Sequence, residues 1–241
     1  NYYCYIFIVD YMQFTLSQIA QICSGKLYGA DSSVDSFVTD SRSTLPVGNA
    51  LFVAMRGVNH DAHMFVGDMV ERGVSAYIVE REVELPDGCG AVVVDNALKA
   101  LQHLAAFRRQ HFDGHVVAIA GSNGKTTVKE WIAQSVGQSV RLYRSPRSYN
   151  SQLGVALSLL MMPDDAELAL IEAGISQVGE MATLERMIAP QTVVFTNIGD
   201  AHQSNFCSLE QKINEKIYLA KSAKRIIYNS EYKQLAAAIE D

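Results

Sequence analysis

Cysteine is scarce in this sequence, and its spacing excludes two common uses of that residue. The four cysteines are scattered, without a C-x-x-C pair, at Cys4, Cys23, Cys89 and Cys207. This pattern matches neither a disulfide framework nor a zinc site. It is typical of proteins from a reducing compartment, so we expect a cytoplasmic protein.

Long apolar runs and blocks of positive charge are also missing. No apolar run reaches the roughly 18 residues that a membrane-spanning helix needs. Lysine and arginine number 20 against 26 aspartates and glutamates, which gives a formal net charge of −6. No nucleic acid and no membrane surface is therefore expected as a partner, whereas a local site for a small anion stays open.

The composition is that of a folded, globular chain. Apolar residues make up 49% of the 241 residues and charged residues 19%, which excludes a disordered protein. At about 150 residues per domain, this length suits one large or two modest domains. Residues 1–11 are apolar but lack the basic start and the cleavage site of a signal peptide. We interpret them as an upstream extension or an artefact.

The first part of the chain alternates short strands with helices. The residues T-L-S-Q from Thr15 form a capping box, which opens a helix that ends at Gly25. Apolar spacing predicts strands over 37–39, 51–55, 76–79 and 91–94, and helices over 63–72 and 97–109. Residues 12–113 are therefore predicted to form a small α/β domain.

The second part has a different pattern. Continuous apolar strands are predicted over 115–120, 168–171, 193–196 and 225–228, separated by helical stretches that include 126–136. Such strands indicate a mostly parallel sheet with helices on both faces. We place the domain boundary near Asp113 and Gly114, so the second domain covers 114–241.

The clearest motif is A-G-S-N-G-K-T-T at 120–127, between an apolar strand and a helix. Its glycines allow successive N–H groups to face a phosphate, and the following helix N-terminus adds partial positive charge. Lys125 is expected to reach the phosphates of a nucleotide and Thr126 to hold Mg²⁺. Ile119 stands where the standard motif has glycine, so a plain glycine-rich turn is the alternative.

Two further candidates follow strands of the predicted parallel sheet. Glu172 ends the strand L-A-L-I-E, and His202 follows a later strand in the segment N-I-G-D-A-H. Ligands of open parallel sheets bind beyond the carboxyl ends of the strands, which makes Glu172 a candidate metal ligand. The alternatives are a solvated carboxylate and a structural or exposed histidine.

A lysine within an apolar helix face is the next candidate. Ser208 and Gln211 form a second capping box, and the helix is predicted to run to about Lys224. At about 100° per residue, Lys216 falls in the middle of the apolar stripe. Such a lysine snorkels, pairs with an anion or is chemically modified. Lys212 lies at the edge of the stripe and is predicted to be a solvated charge.

Two polar turns are less easily interpreted. The turn D-S-R at Asp40, Ser41 and Arg42 either binds a phosphorylated substrate or forms a local cap and ion pair. The segment Y-N-S-Q-L-G presents Asn150 at the end of a strand–loop stretch, where it is a candidate ligand contact.

Together these residues resemble the Mur ligase family, the ATP-dependent amide-forming enzymes of peptidoglycan precursor synthesis. The resemblance runs from Met12 to the last residue and centres on G-S-N-G-K-T-T. The segments D-S-R, L-F-V-A-M-R-G, D-A-H and I-E-A-G-I-S-Q-V-G-E-M resemble the members that join D-alanyl-D-alanine to UDP-N-acetylmuramoyl-tripeptide. This reaction implies ATP, Mg²⁺ and an acyl-phosphate intermediate.

The resemblance also implies roles for individual residues. Glu172 and His202 match ligands of a second Mg²⁺, and Lys216 matches a lysine carried as a carbamate beside that metal. With Lys125 they form the implied catalytic set, while Thr126 serves the first Mg²⁺. The implied ATP contacts are Gly121, Ser122, Asn123, Gly124, Lys125, Thr126 and Thr127, with Asn197 and Asn229 near the adenine. The implied substrate contacts are Asp40, Ser41 and Arg42 at the UDP end and Asn150 near the phosphates.

The family has three domains, and the resemblance covers the N-terminal and central ones. It therefore implies a monomeric fragment that is inactive alone, and a longer parent, which some bacteria fuse to alanine racemase. Two alternatives stay open. One is a related ligase such as folylpolyglutamate synthase, in which the phosphate loop lies close to the N-terminus. The other is a nucleotide-binding module without catalysis.

Overall fold

The computed structural model describes residues 12–45, 49–57, 60–137, 139–198 and 205–240. In these ranges the strands are β1 (Phe14–Thr15), β2 (Lys26–Gly29), β3 (Ser33–Val34), β4 (Ser36–Val38), β5 (Ala50–Val53), β6 (Ala76–Val79), β7 (Gly90–Val93), β8 (His115–Ala120), β9 (Leu142–Arg144), β10 (Leu168–Ala173), β11 (Thr192–Phe195) and β12 (Arg225–Ile227). The helices are α1 (Leu16–Cys23), α2 (Val66–Glu71), α3 (Ala97–Gln110), α4 (Lys125–Val136), α5 (Gln152–Leu160), α6 (Glu180–Ile188), α7 (Leu209–Ile217) and α8 (Lys233–Glu240).

The first sheet has the strand order β2-β7-β6-β5-β4. Strands β4 to β7 pair in parallel, and β2 runs antiparallel to β7 at one edge. Helix α1 begins with the predicted capping box, because the Thr15 hydroxyl accepts from the Gln18 N–H while the Gln18 side chain accepts from the Thr15 N–H. The N-terminal α/β unit that the sequence predicts is therefore present.

The second sheet is parallel throughout, in the order β12-β11-β8-β10-β9. Its central strand β8 leads into the glycine-rich loop. In the register of the sheet, Glu172 of β10 lies opposite Ile119, and Phe195 of β11 lies opposite Ala120. The carboxyl ends of β8, β10 and β11 therefore meet at one edge, as ligand sites of open parallel sheets require.

Helices cover both faces of this sheet, as the continuous apolar strands predict. On β8, Val116 and Ala118 belong to the large apolar cluster that also includes residues of α3, α5 and α6. Ile119 points to the other face, where it packs with Ala133 and Ile132 of α4. The central strands β8 and β10 are thus largely buried on both faces, which removes apolar surface from water, whereas the edge strands β9 and β12 are partly exposed.

Helix α3 joins the two parts of the molecule. It packs against α1 on one side and against α5 and α6 on the other, and one buried apolar cluster runs through both parts. Its last turn carries Arg109, whose guanidinium donates to the carbonyls of Ile188 (2.8 Å) and Ala189 (2.9 Å) and to Gln191 Oε1 (3.1 Å). The boundary near Asp113 stays a prediction, and the core is continuous across it.

Some elements differ from the sequence prediction. Helix α7 ends at Ile217 and continues as a 3-10 helix over Tyr218–Ala220, short of the predicted end near Lys224. Strand β9 and helix α8 were not predicted from the sequence. No helix in the described part of the chain combines the length and the apolar character needed to cross a bilayer.

Substitution of Arg109 tests how much its hydrogen bonds stabilise the packing of α3 against the second part of the chain. We expect Arg109→Ala to lower the free energy of unfolding by about 2–3 kcal/mol, because buried carbonyls lose a charged donor. Urea denaturation measures the change. Arg186→Ala, which removes an exposed arginine from α6, should stay within about 0.5 kcal/mol of the wild type. Equal effects of the two substitutions would contradict the role of Arg109.

Candidate functional site

The glycine-rich loop between β8 and α4 is held by the residues that follow β11. The Ser122 N–H donates to the Asn197 carbonyl at 2.7 Å, and the Asn123 N–H donates to Asn197 Oδ1 at 3.0 Å. The Thr196 hydroxyl donates to the Asn123 carbonyl at 2.6 Å. The residues after β11 therefore fix the loop, and α4 begins directly after Gly124.

Two glycines of the loop are required by its geometry. Gly124 has φ +79°, and Gly121 has φ +145°, conformations that residues with a side chain rarely adopt. A Cβ atom on Gly121 would also lie 1.9 Å from the Thr196 hydroxyl and 2.9 Å from the Asn197 carbonyl. The close approach of the loop to β11 thus depends on the missing side chain.

Two ammonium groups, that of the buried Lys216 and that of the half-buried Lys125, converge on the loop. Lys125 Nζ donates to the carbonyls of Gly121 (3.1 Å) and Ser122 (3.4 Å), and Lys216 Nζ donates to the same Gly121 carbonyl at 3.1 Å. Burial, with the nearby charges of Lys125 and Lys212, lowers the pKa of Lys216 to about 8. Burial also lowers the pKa of Lys125, an effect that Glu172 opposes. This arrangement favours an anion.

Helix α7 places Lys216 at the loop. The neighbouring Glu215 accepts from the N–H groups of Gly179 (2.8 Å) and Met181 (3.0 Å), so it caps the N-terminus of α6. Ser208 caps α7 through the Gln211 N–H, as predicted, although the Gln211 side chain accepts from Cys207 and not from Ser208. Lys216 is 3% exposed, which agrees with its place in the apolar stripe.

The Glu172 carboxylate lies beside the first turn of α4 and is fully buried. Its Oε2 accepts from the Thr126 hydroxyl at 3.1 Å, and its Oε1 lies 2.8 Å from Lys129 Nζ in an ion pair without hydrogen-bond geometry. The Glu172 N–H donates to the Ser145 hydroxyl at 3.3 Å. Glu172 is therefore not the solvated carboxylate that the sequence left as an alternative.

A cleft of about 160 Å³ opens at this edge of the sheet. Its lining includes Gly121, Ser122, Lys125, Asn150, Gly174, Ser176, Glu180 and Lys216. Glu180 orders one wall, because its carboxylate accepts from the N–H groups of Ser176 (2.6 Å) and Gln177 (2.9 Å). Burial acts to raise the pKa of Glu180, but these hydrogen bonds lower it overall.

A larger groove of about 730 Å³ lies between α1 and α3, lined by Phe14, Ile22, Phe107 and their neighbours. Its walls are mostly apolar and glutamine side chains with two histidines. The smaller cleft combines convergent ammonium groups, a strand-end carboxylate nearby and a helix N-terminus. Chemistry, more than volume, therefore places the candidate site at the cleft.

Comparison with known proteins agrees with this geometry. Residues 119–241, about half of the chain, match the Mur ligase middle domain family. The chain belongs to the Mur ligase family. The match begins in β8 and includes the loop, Glu172 and α7, so the family resemblance predicted from the sequence is confirmed.

Curated relatives carry the name UDP-N-acetylmuramoyl-tripeptide–D-alanyl-D-alanine ligase. The Bacillus subtilis protein is 32% identical over 214 residues, which are 87% of this chain and 46% of the relative. The Escherichia coli protein is 35% identical over 197 residues, which are 81% of this chain and 42% of the relative. The chain thus spans about half the length of the curated relatives it matches.

Solved structures agree on the fold of this Mur ligase chain. MurF from Acinetobacter baumannii superposes with a TM-score of 0.85 at 26% identity, covering 96% of this chain and 53% of that one. MurF ligase from Thermotoga maritima, solved in complex with ADP, gives a TM-score of 0.76 at 27% identity and covers 85% and 48%. The predicted fold class, an α/β unit followed by a parallel-sheet domain with a phosphate loop, is confirmed.

The structure brings together most of the residues predicted for the central site. Gly121, Ser122, Lys125, Asn150 and Lys216 line one cleft, and Thr126 contacts Glu172 nearby. Thr127 is exposed on the first turn of α4, and Asn229 follows β12, where its side chain accepts from the Glu231 N–H. His202 lies outside the described residues.

The D-S-R turn lies on the first sheet, after β4. Asp40 accepts from the Arg42 guanidinium at 2.9 and 2.8 Å, and this bond, with the Arg42 N–H, lowers the pKa of Asp40 to about 2. Arg72 supports the turn by donating to the carbonyls of Ser41 and Ser43. The ion pair between Asp40 and Arg42, one of the two alternatives for this turn, is therefore present. Contact with a phosphorylated substrate stays a prediction.

The expectation for Lys212 was wrong. Its side chain is fully buried, whereas the helical stripe predicted a solvated charge. The apolar stripe describes a helix that is buried on one face only. Because α7 also packs against α8, more of the α7 surface is buried than the stripe predicts. Lys212 is close enough to Lys216 for its charge to lower the Lys216 pKa.

Lys129 and Thr196 were missed by the sequence analysis. In the sequence, Lys129 looks like an ordinary lysine of an amphipathic helix. Thr196 is only the last residue of a predicted strand. The available signal was spacing: Lys129 is three residues beyond Thr126, so both lie on the same face of α4. The buried partners that this face meets come from distant parts of the chain.

The contact between Gly121 and Thr196 can be tested by adding one methyl group. We expect Gly121→Ala to lower the free energy of unfolding by about 1–3 kcal/mol, because the methyl would overlap the Thr196 hydroxyl. Gly67→Ala in α2 is the matched control, since a Cβ there meets no atom within 4 Å. It should stabilise the chain by up to about 1 kcal/mol. Urea denaturation distinguishes them, and a stabilising Gly121→Ala would contradict this geometry.

Proposed function

We propose that this chain binds ATP with Mg²⁺ and forms part of a ligase that joins D-alanyl-D-alanine to UDP-N-acetylmuramoyl-tripeptide. The observation that carries the proposal is the loop between β8 and α4, where Thr126 contacts the buried Glu172 carboxylate at 3.1 Å. The names of the curated relatives support the substrates, and the ADP in the Thermotoga maritima structure supports the nucleotide.

The donor set near Thr126 fits Mg²⁺. Thr126 Oγ1 and Glu172 Oε2 are 3.1 Å apart, about the spacing of adjacent ligands in an octahedron with bonds of about 2.1 Å. Within the described ranges, no group of three or more His, Cys, Asp or Glu side chains could hold a metal. This composition suits an ion that takes its other ligands from phosphates and water. His202 is proposed as a further ligand from the family resemblance alone.

ATP bound at this loop would activate a substrate carboxylate as an acyl phosphate, with Mg²⁺ offsetting the phosphate charge. The chain's own groups supply the binding. The N–H groups of the first turn of α4 have no partner within the helix and can meet phosphate oxygens, and the helix N-terminus favours negative charge. The Lys125 ammonium, which donates to two loop carbonyls, is proposed to bind the phosphates.

Lys216 is proposed to act as a carbamate. A neutral amine adds to CO₂ through its nitrogen lone pair and then releases a proton, which leaves an anionic N-carboxyl group. The lowered pKa of Lys216, about 8, makes its neutral form more abundant near neutral pH than that of an ordinary lysine. The anion would then stand beside Lys125 and offset the crowding of ammonium groups at Gly121.

The remaining contacts are proposed from the family resemblance and from their positions in the fold. Asn150 lines the cleft near Lys216, so it is proposed to contact substrate or phosphate. Asp40, Ser41 and Arg42 are proposed to lie near the UDP group, within a substrate domain of residues 12–113. Asn197 and Asn229 follow adjacent strands, which supports their proposed place near the adenine.

The two alternatives are less well supported. A folylpolyglutamate synthase would place the phosphate loop near the N-terminus, whereas an α/β unit precedes it here. A module that binds nucleotide without ligation would have the same loop, but it would not need the buried Lys216 beside that loop. The curated relatives named above are ligases of the peptidoglycan type.

The nucleotide proposal is tested by Lys125→Ala in the 241-residue chain. Loss of the ammonium should weaken Mg²⁺–ATP binding by at least about tenfold, or about 1.4 kcal/mol, in isothermal titration calorimetry. Lys233→Ala removes an exposed lysine of α8 and should leave the affinity unchanged. Binding of equal strength to the Lys125→Ala protein would refute the phosphate site.

The ligase proposal is tested through Lys216 in the full-length protein that carries this sequence. We expect Lys216→Ala to slow phosphate release with D-alanyl-D-alanine, UDP-N-acetylmuramoyl-tripeptide and ATP at least about 100-fold. A short carboxylic acid should restore part of the rate by replacing the lost anion. Lys224→Ala, an exposed lysine beyond α7, is the control. Near-normal turnover without Lys216 would contradict the proposed role.

A further inference from the structure

Lys129 is a fully buried lysine close to the proposed metal site. Its ammonium lies 2.7 Å from the Ser145 carbonyl, 2.7 Å from the Arg147 carbonyl and 2.8 Å from Glu172 Oε1. The two carbonyl contacts are hydrogen bonds, and the contact with Glu172 is an ion pair. Lys129 is therefore anchored by backbone on one side and faces the carboxylate on the other.

The pair of Lys129 and Glu172 has no exposed side-chain surface. Taking two charges out of water is costly, and removal of either partner leaves the other uncompensated. Apolar residues of similar volume could fill the same space without this cost. A role in addition to stability would account for the charged pair.

Geometry points to that role. Thr126 and Lys129 are three residues apart on α4, and each takes a different oxygen of the same carboxylate: Thr126 contacts Oε2 and Lys129 contacts Oε1. The carboxylate group is thus held at both ends by one helix face. Its Oε2 is directed toward the hydroxyl that the proposed function assigns to Mg²⁺.

The same lysine reaches the wall of the cleft. Arg147 has φ +45°, a left-handed conformation that is unusual for a residue with a side chain, and its carbonyl is one of the two that Lys129 binds. The following residues lead to Asn150, whose carbonyl accepts from the Gly174 N–H at 2.8 Å. Lys129 therefore connects the carboxylate to the segment that presents Asn150.

We propose that Lys129 is a positioning residue for the Mg²⁺ site: by occupying Glu172 Oε1, it leaves Oε2 beside Thr126 as the oxygen offered to the metal. This inference rests on the proposed function. Lys129 contacts no nucleotide or substrate group in it, and it acts only through Glu172 and the carbonyls of Ser145 and Arg147.

The test measures ADP binding by the 241-residue chain as Mg²⁺ is varied. In Lys129→Met, the Mg²⁺ concentration that gives half of the maximal gain in ADP affinity should rise about 10- to 100-fold, the usual cost of losing a partner of a metal ligand. ADP affinity without Mg²⁺ should change little, because the phosphate loop is intact. A merely structural role would weaken both equally.

Three further variants make the test specific. Lys129→Arg keeps the charge and the donors and should recover much of the Mg²⁺ response. Glu130→Gln changes the next residue, whose carboxylate is 3.7 Å from Lys129 Nζ and pairs with Arg144, and should respond as the wild type does. Lys129→Gln keeps an amide donor for the carbonyls and replaces Lys129→Met if that protein does not fold, as judged by its melting temperature.

The outcomes separate the two proposals. A folded Lys129→Met or Lys129→Gln protein with the wild-type Mg²⁺ response would overturn the role of Lys129 and leave the proposed function standing. Failure of both neutral variants to fold, with a normal Lys129→Arg protein, would assign Lys129 to stability alone. If ADP binding by the wild type did not depend on Mg²⁺, the proposed metal site and this inference would both fall.

Discussion

The contact between the buried Glu172 carboxylate and the first turns of α4 governs the geometry of the candidate site. Glu172 belongs to β10, whereas Thr126 and Lys129 belong to the helix that follows β8. These contacts tie the helix to a neighbouring strand at the carboxyl edge of the sheet. The N-terminus of α4 and the glycine-rich loop before it thereby acquire a fixed position.

The opposite side of the loop is held by β11 in the same way. Thr196 and Asn197 bind loop backbone groups, and Gly121 has no side chain that would keep the two apart. Two strand ends and one helix therefore define a small polar cleft, into which Lys125 and Lys216 bring positive charge. Both ammonium groups rest on the Gly121 carbonyl, which a bound phosphate group could replace as their partner.

Local features of this molecule were readable from the sequence. The strand–loop–helix around Lys125, the capping box at Thr15 and the inward face at Lys216 each depend on residues that are close in the chain. Lys212 and Lys129 depend on tertiary packing: the first is covered in a region where α8 packs on α7, and the second meets β10 and the segment after β9. Periodicity within one helix carries no information about such neighbours.

The central claim, a Mg²⁺–nucleotide site at the loop, is tested most directly by a crystal structure of the chain with Mg²⁺ and a non-hydrolysable ATP analogue. The account predicts phosphates at the N-terminus of α4 and beside Lys125, with the ion bound to Thr126 Oγ1 and Glu172 Oε2 and with Lys129 still paired with Oε1. A nucleotide bound elsewhere, or an ion that contacts neither Thr126 nor Glu172, would contradict it.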